Sequence, residues 1–318
     1  MSEPGAPSSP GSPGVGGALD PARVRGDPGE TWRAFATATR LGWQMEANWT
    51  DPFLFFVYSV AKPIASVLIL VAMLEIIGGS ATREYRGYVV VGSALWSFVM
   101  AGIAGLAWSI LDDRERYRML KYVVVSPSRL SVVLMGRGVA RVAVGAMGAV
   151  ITLAFGIVLL GVSFDLARVD WPLVALSMLL GLTGIVAVGL ILAAVIMQTR
   201  QEAWSYPEAV AGALFLVSGA VFPLAVLPDS VELVGLVTPL PWWIEGVRRA
   251  LLPDSVSGIG GQGSLWTGLT GTPAPEPIQV LIALFVTGVV STLAAAIIFR
   301  AGTRRASSLG LFDRTTGS

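Results

Sequence analysis

The residues best suited to chemistry in this sequence are charged side chains concentrated between positions 112 and 141. Seven cations outnumber three carboxylates there; the cations are Arg114, Arg116, Arg118, Lys121, Arg129, Arg137 and Arg141, and the carboxylates are Asp112, Asp113 and Glu115. With so many arginines beside them, the carboxylates are expected to form local ion pairs and not a cation site. A short basic segment of this kind is well placed to contact a soluble partner.

Several kinds of chemistry are excluded by the residue types. The chain has no Cys and no His, which rules out disulfides, thiolate or imidazole metal sites and His-based acid–base catalysis. It also lacks the phosphate-binding pattern G-x-x-x-x-G-K-[ST] and the nucleophile pattern G-x-S-x-G. Residues 258–263 match G-x-G-x-x-G, but no strand precedes them, so they are interpreted as a flexible loop. No catalytic residue, metal site, cofactor or nucleic-acid surface is predicted.

The composition is that of a membrane protein. Hydrophobic residues make up 54% of the chain, charged residues 14%, and the mean hydropathy is +0.70. A helix needs about 20 apolar residues to cross the hydrocarbon core. The sequence therefore predicts an all-α polytopic fold with six transmembrane helices, at about 53–77, 88–111, 130–162, 172–197, 208–227 and 277–299.

The positions of the basic residues predict the orientation of these spans. Arg and Lys cluster before span one, after span two and after span six, and basic loops remain in the cytoplasm. Both termini are then cytoplasmic, in a bacterial plasma membrane. Arg137 and Arg141 lie one helical turn apart at the inner end of span three and are expected to anchor at lipid headgroups.

Three regions follow from this organisation. Residues 1–29 are rich in Pro, Gly and Ser and are predicted to be a disordered cytoplasmic tail without a signal peptide. Residues 30–305 form the transmembrane domain, and 306–318 a cytoplasmic C-terminal tail. Residues 30–51 mix Trp with Arg and predict an interfacial helix along the inner leaflet, or else an ordinary helix packed on the bundle.

Two features interrupt the predicted spans. Lys62 precedes Pro63 within span one, where its ammonium either faces a water-filled pathway or extends back to the headgroups. After span five, Phe222, Pro223 and Pro228 bracket a short apolar piece, which predicts a broken, re-entrant segment.

The segment beyond this break is amphipathic. Trp242 and Trp243 fit an outer interfacial belt. Glu245 has the spacing to pair with Arg248 and Arg249 on one helix face. Residues 253–276 are predicted to form an outer loop.

Two short patterns resemble those of a known family. One is Glu115-Arg116…Leu120…Ser126-Pro127 between spans two and three. The other, S-G-x-x-F-P-x-x-x-L-P, comprises Ser218, Gly219, Phe222, Pro223, Leu227 and Pro228. Together with the N-terminal helix and six spans, they make residues 31–305 resemble the membrane subunit of ABC-2-type exporters, which include daunorubicin-resistance permeases and polysaccharide exporters. Arg118 and Met119 depart from this pattern, because the family often has Gly-Thr there.

The resemblance implies an assembly of two permease subunits, as a homodimer, with two ATPase subunits that bind ATP and Mg. The ATPases would contact a cytoplasmic coupling helix between spans two and three, through Glu115, Arg116, Arg118, Met119, Leu120, Lys121 and Tyr122. Spans one, two and five would line the route, with candidate residues Lys62, Ser66, Ser93, Ser97 and Ser218. The re-entrant residues Phe222, Pro223 and Pro228 would form an outer gate.

The function expected on this basis is the permease subunit of an ATP-driven exporter for an amphipathic drug or lipid-like molecule. One alternative within the same scheme is export of a polysaccharide or lipid-linked glycan. An ion-coupled secondary transporter is an alternative of another class, although intramembrane carboxylate pairs and inverted repeats are not evident. A non-transporting membrane scaffold is a third.

Overall fold

The computed structural model describes residues 28–48, 52–78, 83–126, 129–199 and 203–309, and within these ranges every regular element is helical. The first helices are α1 Pro28–Asn48, α2 Pro52–Gly78 and α3 83–116. Helix α3 is continuous but contains π-helical turns at Met100–Ala104 and Asp112–Arg116, which follow the α-helical parts Arg83–Val99 and Gly105–Leu111. They are followed by α4 Leu120–Val125, α5 Leu130–Val158, α6 Trp171–Gln198 and α7 Tyr206–Val217. The last are α8 Asp229–Val237, α9 Pro239–Leu251, α10 Leu265–Thr270 and α11 Pro277–Ser308, with a 3₁₀ turn at Leu224–Val226 before α8.

Helix length and composition confirm an all-α architecture with several candidate membrane spans. Among the described residues, four helices are long and apolar enough to cross a bilayer, namely α3 from Tyr85, α5, α6 and α11. Helix α2 is 27 residues long and contains Pro63. Helix α7 has only 12 residues, about 18 Å at the α-helical rise, and so is shorter than a hydrocarbon core of about 30 Å. The count of six spans stays a prediction.

Helix α3 is the centre of the bundle. Its apolar window is 72% buried inside the protein, against 22% for α5 and 17% for α11. Helices α2 and α5 pack against it, and so does α6. Gly189 of α6 allows a close approach to α3, because a Cβ there would lie 2.6 Å from the Gly102 carbonyl oxygen in the first π-helical turn. A glycine at this position therefore permits close packing of α6 on α3.

The predicted fifth span, 208–227, needs correction. Helix α7 ends at Val217, where the Ser218 hydroxyl donates to the Phe215 carbonyl and Gly219 adopts a left-handed φ of +67°. This is a common way for a helix to terminate. Helix α8 then returns along α7, since a Cβ on Gly235 would be 2.7 Å from the Val217 carbonyl oxygen. The sequence stays apolar through this turn, so composition alone extended the helix too far.

Other boundaries shift less. Helix α5 ends at Val158 and not near 162, and α11 continues to Ser308, so residues 306–308 are helical and not part of a tail. Residues 1–27 and 310–318, which make up most of the two predicted tails, lie outside the described residues. Helix α1 packs along α5, where a Cβ on Gly136 would be 2.6 Å from the Phe35 carbonyl oxygen. Trp32 nevertheless remains 67% exposed, as expected for a helix that also meets lipid.

Candidate functional site

One end of the bundle is held by ion pairs between three helices, here called the Asp113 cluster. Its members are Glu46 of α1, Asp112 and Asp113 of α3, and Arg137 and Arg141 of α5. Arg137 pairs with Asp113 and also donates to the Ser109 carbonyl at 3.4 Å. Arg141 lies 2.8 Å from a Glu46 oxygen and 3.9 Å from an Asp112 oxygen. Each α5 arginine thus ties its helix to a neighbour.

The expected headgroup role is wrong for Arg137 and stays a prediction for Arg141, whose side chain is 21% exposed. Arg137 is 6% exposed and Asp113 2% exposed, so neither charge is available to lipid. A buried carboxylate requires a buried partner, and α5 supplies it. Burial also raises the pKa of Glu46, and the nearby Arg141 guanidinium acts in the opposite direction.

Arg114 fixes the same end of α3 to a fourth helix. Its Nη1 donates to the carbonyl oxygens of Ile196 at 3.2 Å and Thr199 at 3.0 Å, at the C-terminal end of α6. The last carbonyls of a helix lack partners within that helix, and a guanidinium satisfies them well. Its Nε donates to Glu115 at 2.7 Å. The π-helical turn at Asp112–Arg116 is therefore attached to α5 and α6 at once.

The predicted ATPase contact residues fall on two faces of the segment that follows. Arg116 and Arg118 are exposed, and Tyr122 is 69% exposed. In contrast, Leu120 is 1% exposed, and Met119 and Glu115 are half-buried. The side chain of Lys121 and all of Pro127 lie outside what the structure describes. The segment thus combines a fixed inner face with an exposed, partly basic outer face.

Arg118 occupies a backbone conformation that favours glycine. Its φ is +51°, the one positive value among the described residues that are not glycine. A side chain in this left-handed region costs on the order of 1 kcal/mol. The family pattern often has Gly at this position, so the local backbone conformation suits that residue although the side chain differs.

A cleft opens within the Asp113 cluster. Its volume is about 190 Å³, and its walls include Glu46, Asp112, Arg116, Tyr117 and Arg141. Because the charged groups border open space, this end of the bundle is incompletely packed.

The predicted pathway residues are only partly brought together. Lys62 and Ser66 are both exposed and one turn apart on α2, and the Ser66 hydroxyl donates to the Lys62 carbonyl at 3.0 Å. Ser97 of α3 and Pro63 of α2 both lie beside Gly148 of α5, where an added Cβ would be 3.2 Å from Ser97 and 3.8 Å from Pro63.

The two remaining pathway residues are differently placed. Ser93 is half-buried, and its hydroxyl has no hydrogen-bond partner among the described residues. Ser218 is buried, and its hydroxyl bonds within its own turn, to the Phe215 carbonyl and the Ala220 amide. Among the described residues, no hydrogen bond connects Ser218 with Lys62 or Ser66 of α2.

The opposite end of the bundle holds a second polar group, here called the Glu245 cluster. Its members are Tyr88, Gly219, Glu245, Arg248, Arg249, Ser257 and Gly258. Glu245 accepts from the Ser257 hydroxyl at 2.6 Å, the Gly258 amide at 2.7 Å and Arg249 Nε at 2.8 Å. Its predicted pairing with both α9 arginines is confirmed.

Arg248 is the most enclosed cation of this cluster. It is 1% exposed, lies 3.5 Å from Glu245 and donates to the Gly219 carbonyl at 2.8 Å. Its guanidinium sits 3.5 Å above the centre of the Tyr88 ring, and the Tyr88 hydroxyl donates to the same Gly219 carbonyl. The turn after α7, helix α9 and the start of α3 therefore share one buried network.

Two sequence interpretations of this end are corrected. The glycine-rich residues 258–263 are not a flexible loop, because Gly258 bonds to both Glu245 and the Leu224 amide. Trp242 and Trp243 do not form an interfacial belt, since they are 5% and 0% exposed and Trp243 packs on Gly181 of α6. The predicted gate residues Phe222 and Pro223 are half-buried in the turn between α7 and α8, and Pro228 is exposed just before α8.

The comparison with protein families decides what kind of protein carries these two clusters. The family model for the ABC-2 type transporter matches residues 36–252 of the 318 in the chain. The chain belongs to the ABC-2 type transporter family. Comparison with curated proteins gave no match.

ABC-2 membership confirms the family resemblance and places both clusters in the membrane component of an ABC transporter. The chain is a multi-pass membrane protein and the transport component of an ABC transporter, and the family implies association with an ABC ATPase subunit. The matched residues include the whole Asp113 cluster and all members of the Glu245 cluster except Ser257 and Gly258.

Proposed function

We propose that this chain is the permease subunit of an ATP-driven exporter that moves an amphipathic drug or lipid-like molecule out of the cytoplasm or the inner leaflet. In this proposal the Asp113 cluster faces the cytoplasm and the Glu245 cluster faces outward, in a bacterial plasma membrane. Both termini are cytoplasmic. The distribution of basic residues supports this orientation.

The observation that carries the proposal is the segment 112–122, which comprises the last turn of α3 and the start of α4 and has two different faces. Its outer face exposes Arg116, Arg118 and Tyr122, where a soluble ATPase subunit can bind. Its inner face is attached through Arg114 to α6, and through Asp113 to α5. A push on the outer face is therefore transmitted directly to transmembrane helices.

The working assembly we propose contains two copies of this chain and two ATPase subunits, which bind ATP and Mg. The hairpin of α7 and α8 supports a second copy, since Leu233, Val234 and Val237 are 55%, 57% and 62% exposed on α8. Such an apolar surface requires lipid or another protein to cover it.

An amphipathic substrate is supported by the character of α2. This helix presents Lys62 and Ser66 on an otherwise apolar exposed surface that includes Ile69 and Met73. A mixed surface of this kind suits a molecule with both polar and apolar parts.

The test is charge reversal on the outer face. The variant Arg116→Glu/Arg118→Glu should insert and fold normally, because both side chains are exposed. In vesicles that contain the permease and its ATPase subunit, ATP hydrolysis should continue while uptake of a fluorescent amphipathic drug falls about tenfold. A tenfold decrease corresponds to a loss of roughly 1.4 kcal/mol of interaction free energy between the permease and the ATPase subunit.

The control is Arg304→Glu, which changes the charge of an exposed arginine on α11, on the same predicted side of the membrane. Drug uptake by this variant should match that of the unmodified protein. Equal uptake by the double variant would contradict the proposed contact, and uptake that persists without ATP would contradict the whole ATP-driven scheme.

A further inference from the structure

Helix α1 carries two grooves of different chemistry on its two sides. The groove toward α4 mixes charged and apolar residues, including Glu30, Arg33 and Tyr122. The groove toward α5 is almost entirely apolar, has a volume of about 450 Å³, and is lined by Trp32, Phe35, Ala36, Thr39, Arg40, Trp43, Val139, Ala140 and Ala143. We call this second groove the Trp32 groove.

The walls of the Trp32 groove are aromatic and remain uncovered. Trp32 is 67% exposed and Trp43 41% exposed, and the rings of Trp32 and Phe35 stack with centroids 5.6 Å apart. The floor consists of small residues of α5, Ala140 and Ala143. Tryptophan of this kind is typical of the level where acyl chains meet headgroups.

The polar content of the groove is concentrated in one cation. The Thr39 hydroxyl already donates to the Phe35 carbonyl at 2.9 Å. Arg40 is exposed and has no hydrogen bond or ion pair with any residue in the described part of the chain. An apolar groove lined at one position by an unpaired guanidinium matches a molecule with one hydrocarbon chain to bury and one negative group to pair.

We propose that the Trp32 groove binds an anionic phospholipid, with one acyl chain between α1 and α5 and its phosphate at Arg40. The lipid would brace α1 against α5 next to the Asp113 cluster, since Glu46 of the same helix pairs with Arg141. This inference needs no ATPase partner, so its failure would leave the transport proposal intact.

The test measures retained lipid on the full chain. The protein is reconstituted in vesicles of phosphatidylglycerol and phosphatidylcholine with identical acyl chains, extracted gently, and weighed with its bound lipid by native mass spectrometry. A basic residue near the membrane surface contributes about 1 kcal/mol toward anionic lipid, so phosphatidylglycerol should be retained about fivefold over phosphatidylcholine. Inorganic phosphate at millimolar concentration should not displace it.

Two matched pairs of variants make the test specific. Arg40→Gln should abolish the preference for phosphatidylglycerol, whereas Arg33→Gln, an exposed arginine on the other groove of the same helix, should keep it. Ala143→Trp fills the groove and should reduce the retention of both lipids, whereas Ala296→Trp, at an exposed alanine of α11, should not.

Three results would overturn the inference. They are an absence of lipid preference in the unmodified protein, an equal loss in Arg33→Gln, which would indicate diffuse charge attraction, and full retention in Ala143→Trp. That last result is also the one expected if a protein partner, and not lipid, fills the groove.

Discussion

The Asp113 and Glu245 clusters both pair a buried carboxylate with a buried arginine, yet they differ in how much freedom they leave. In the Glu245 cluster the pair is supported by a ring, a hydroxyl, an amide and a carbonyl, and both Glu245 and Arg248 are 1% exposed. In the Asp113 cluster one Asp113 oxygen has no hydrogen-bond partner among the described residues, and a cleft of about 190 Å³ lies beside the pairs. Arg248 Nε also lacks a hydrogen-bond partner among the described residues, so the two clusters differ in the number of bonds to the buried carboxylate and in the cleft beside it.

The elements that each cluster joins differ as well. The Glu245 cluster joins α9 and the loop that follows it to the start of α3 and to the turn after α7. The Asp113 cluster connects three separate helices, α1, α3 and α5, and Arg114 adds α6. Since the buried Asp113 carboxylate has fewer hydrogen-bond partners than Glu245 and the ion pairs beside it border a cleft, we infer that the Asp113 end moves during transport and the Glu245 end provides a fixed reference.

The largest loss of stability is expected from Glu245→Leu. This change leaves Arg248 buried without its carboxylate, and breaking a buried ion pair costs about 3–5 kcal/mol. The apparent unfolding midpoint of the purified protein in detergent should fall by roughly 10 °C. Thermal unfolding followed by intrinsic fluorescence provides the measurement.

Glu208→Leu is the control, because it removes an exposed carboxylate of α7 and should leave the midpoint nearly unchanged. If both variants behaved alike, the Glu245 end would not be the more rigid of the two.

A smaller loss of stability is expected from Arg137→Met in the Asp113 cluster. This change leaves the buried Asp113 carboxylate, which is 2% exposed, without its ion-pair partner, and should lower the free energy of unfolding by about 3 kcal/mol. The double variant Asp113→Leu/Arg137→Met removes both charges and should recover most of that stability. ATP-driven uptake in vesicles should nevertheless stay low, because the link between α3 and α5 is missing.

Recovery of both stability and uptake in the double variant would reduce the Asp113 pair to a structural role. That outcome would remove the distinction between a moving end and a fixed end.

The smallest effect is expected from Arg118→Gly, and its sign is the informative part. Gly relieves the left-handed strain at φ +51° and should raise stability by about 1 kcal/mol. Drug uptake should fall, because the exposed cation is lost. Arg118→Val should lower both quantities, since a β-branched residue tolerates this φ poorly. A destabilised Arg118→Gly would mean that the Arg118 side chain stabilises the segment.

The sequence predicted those features that depend on local pattern. The all-α architecture followed from composition, and the pairing of Glu245 with Arg248 and Arg249 followed from their spacing on one helix. The exposed residues after α3 were also singled out, although their binding role stays a prediction. In each case the relevant information lies within a few residues.

Features that depend on tertiary contact were missed. Arg137 and Asp113 lie on different helices, 24 residues apart in the chain, and no local pattern shows that they meet. The end of α7 is set by Gly219, whose carbonyl bonds to Tyr88 and Arg248, while the sequence around it stays apolar. The ordered glycine loop depends on Glu245 in the same way. The glycine at position 219 was a signal for the helix end that the sequence did contain, because glycine is common just after a helix C-terminus.

The most direct test of the account is cross-linking from the exposed face of the segment after α3. The chain has no Cys, so a single Cys introduced at Tyr122, which is 69% exposed, reports one position. In cells, a thiol-directed photocross-linker at this site should capture a protein that mass spectrometry identifies as an ABC ATPase subunit. The same label at Leu269, 81% exposed at the Glu245 end, should not. Capture of the ATPase from Leu269 and not from Tyr122 would contradict both the orientation and the proposed drive.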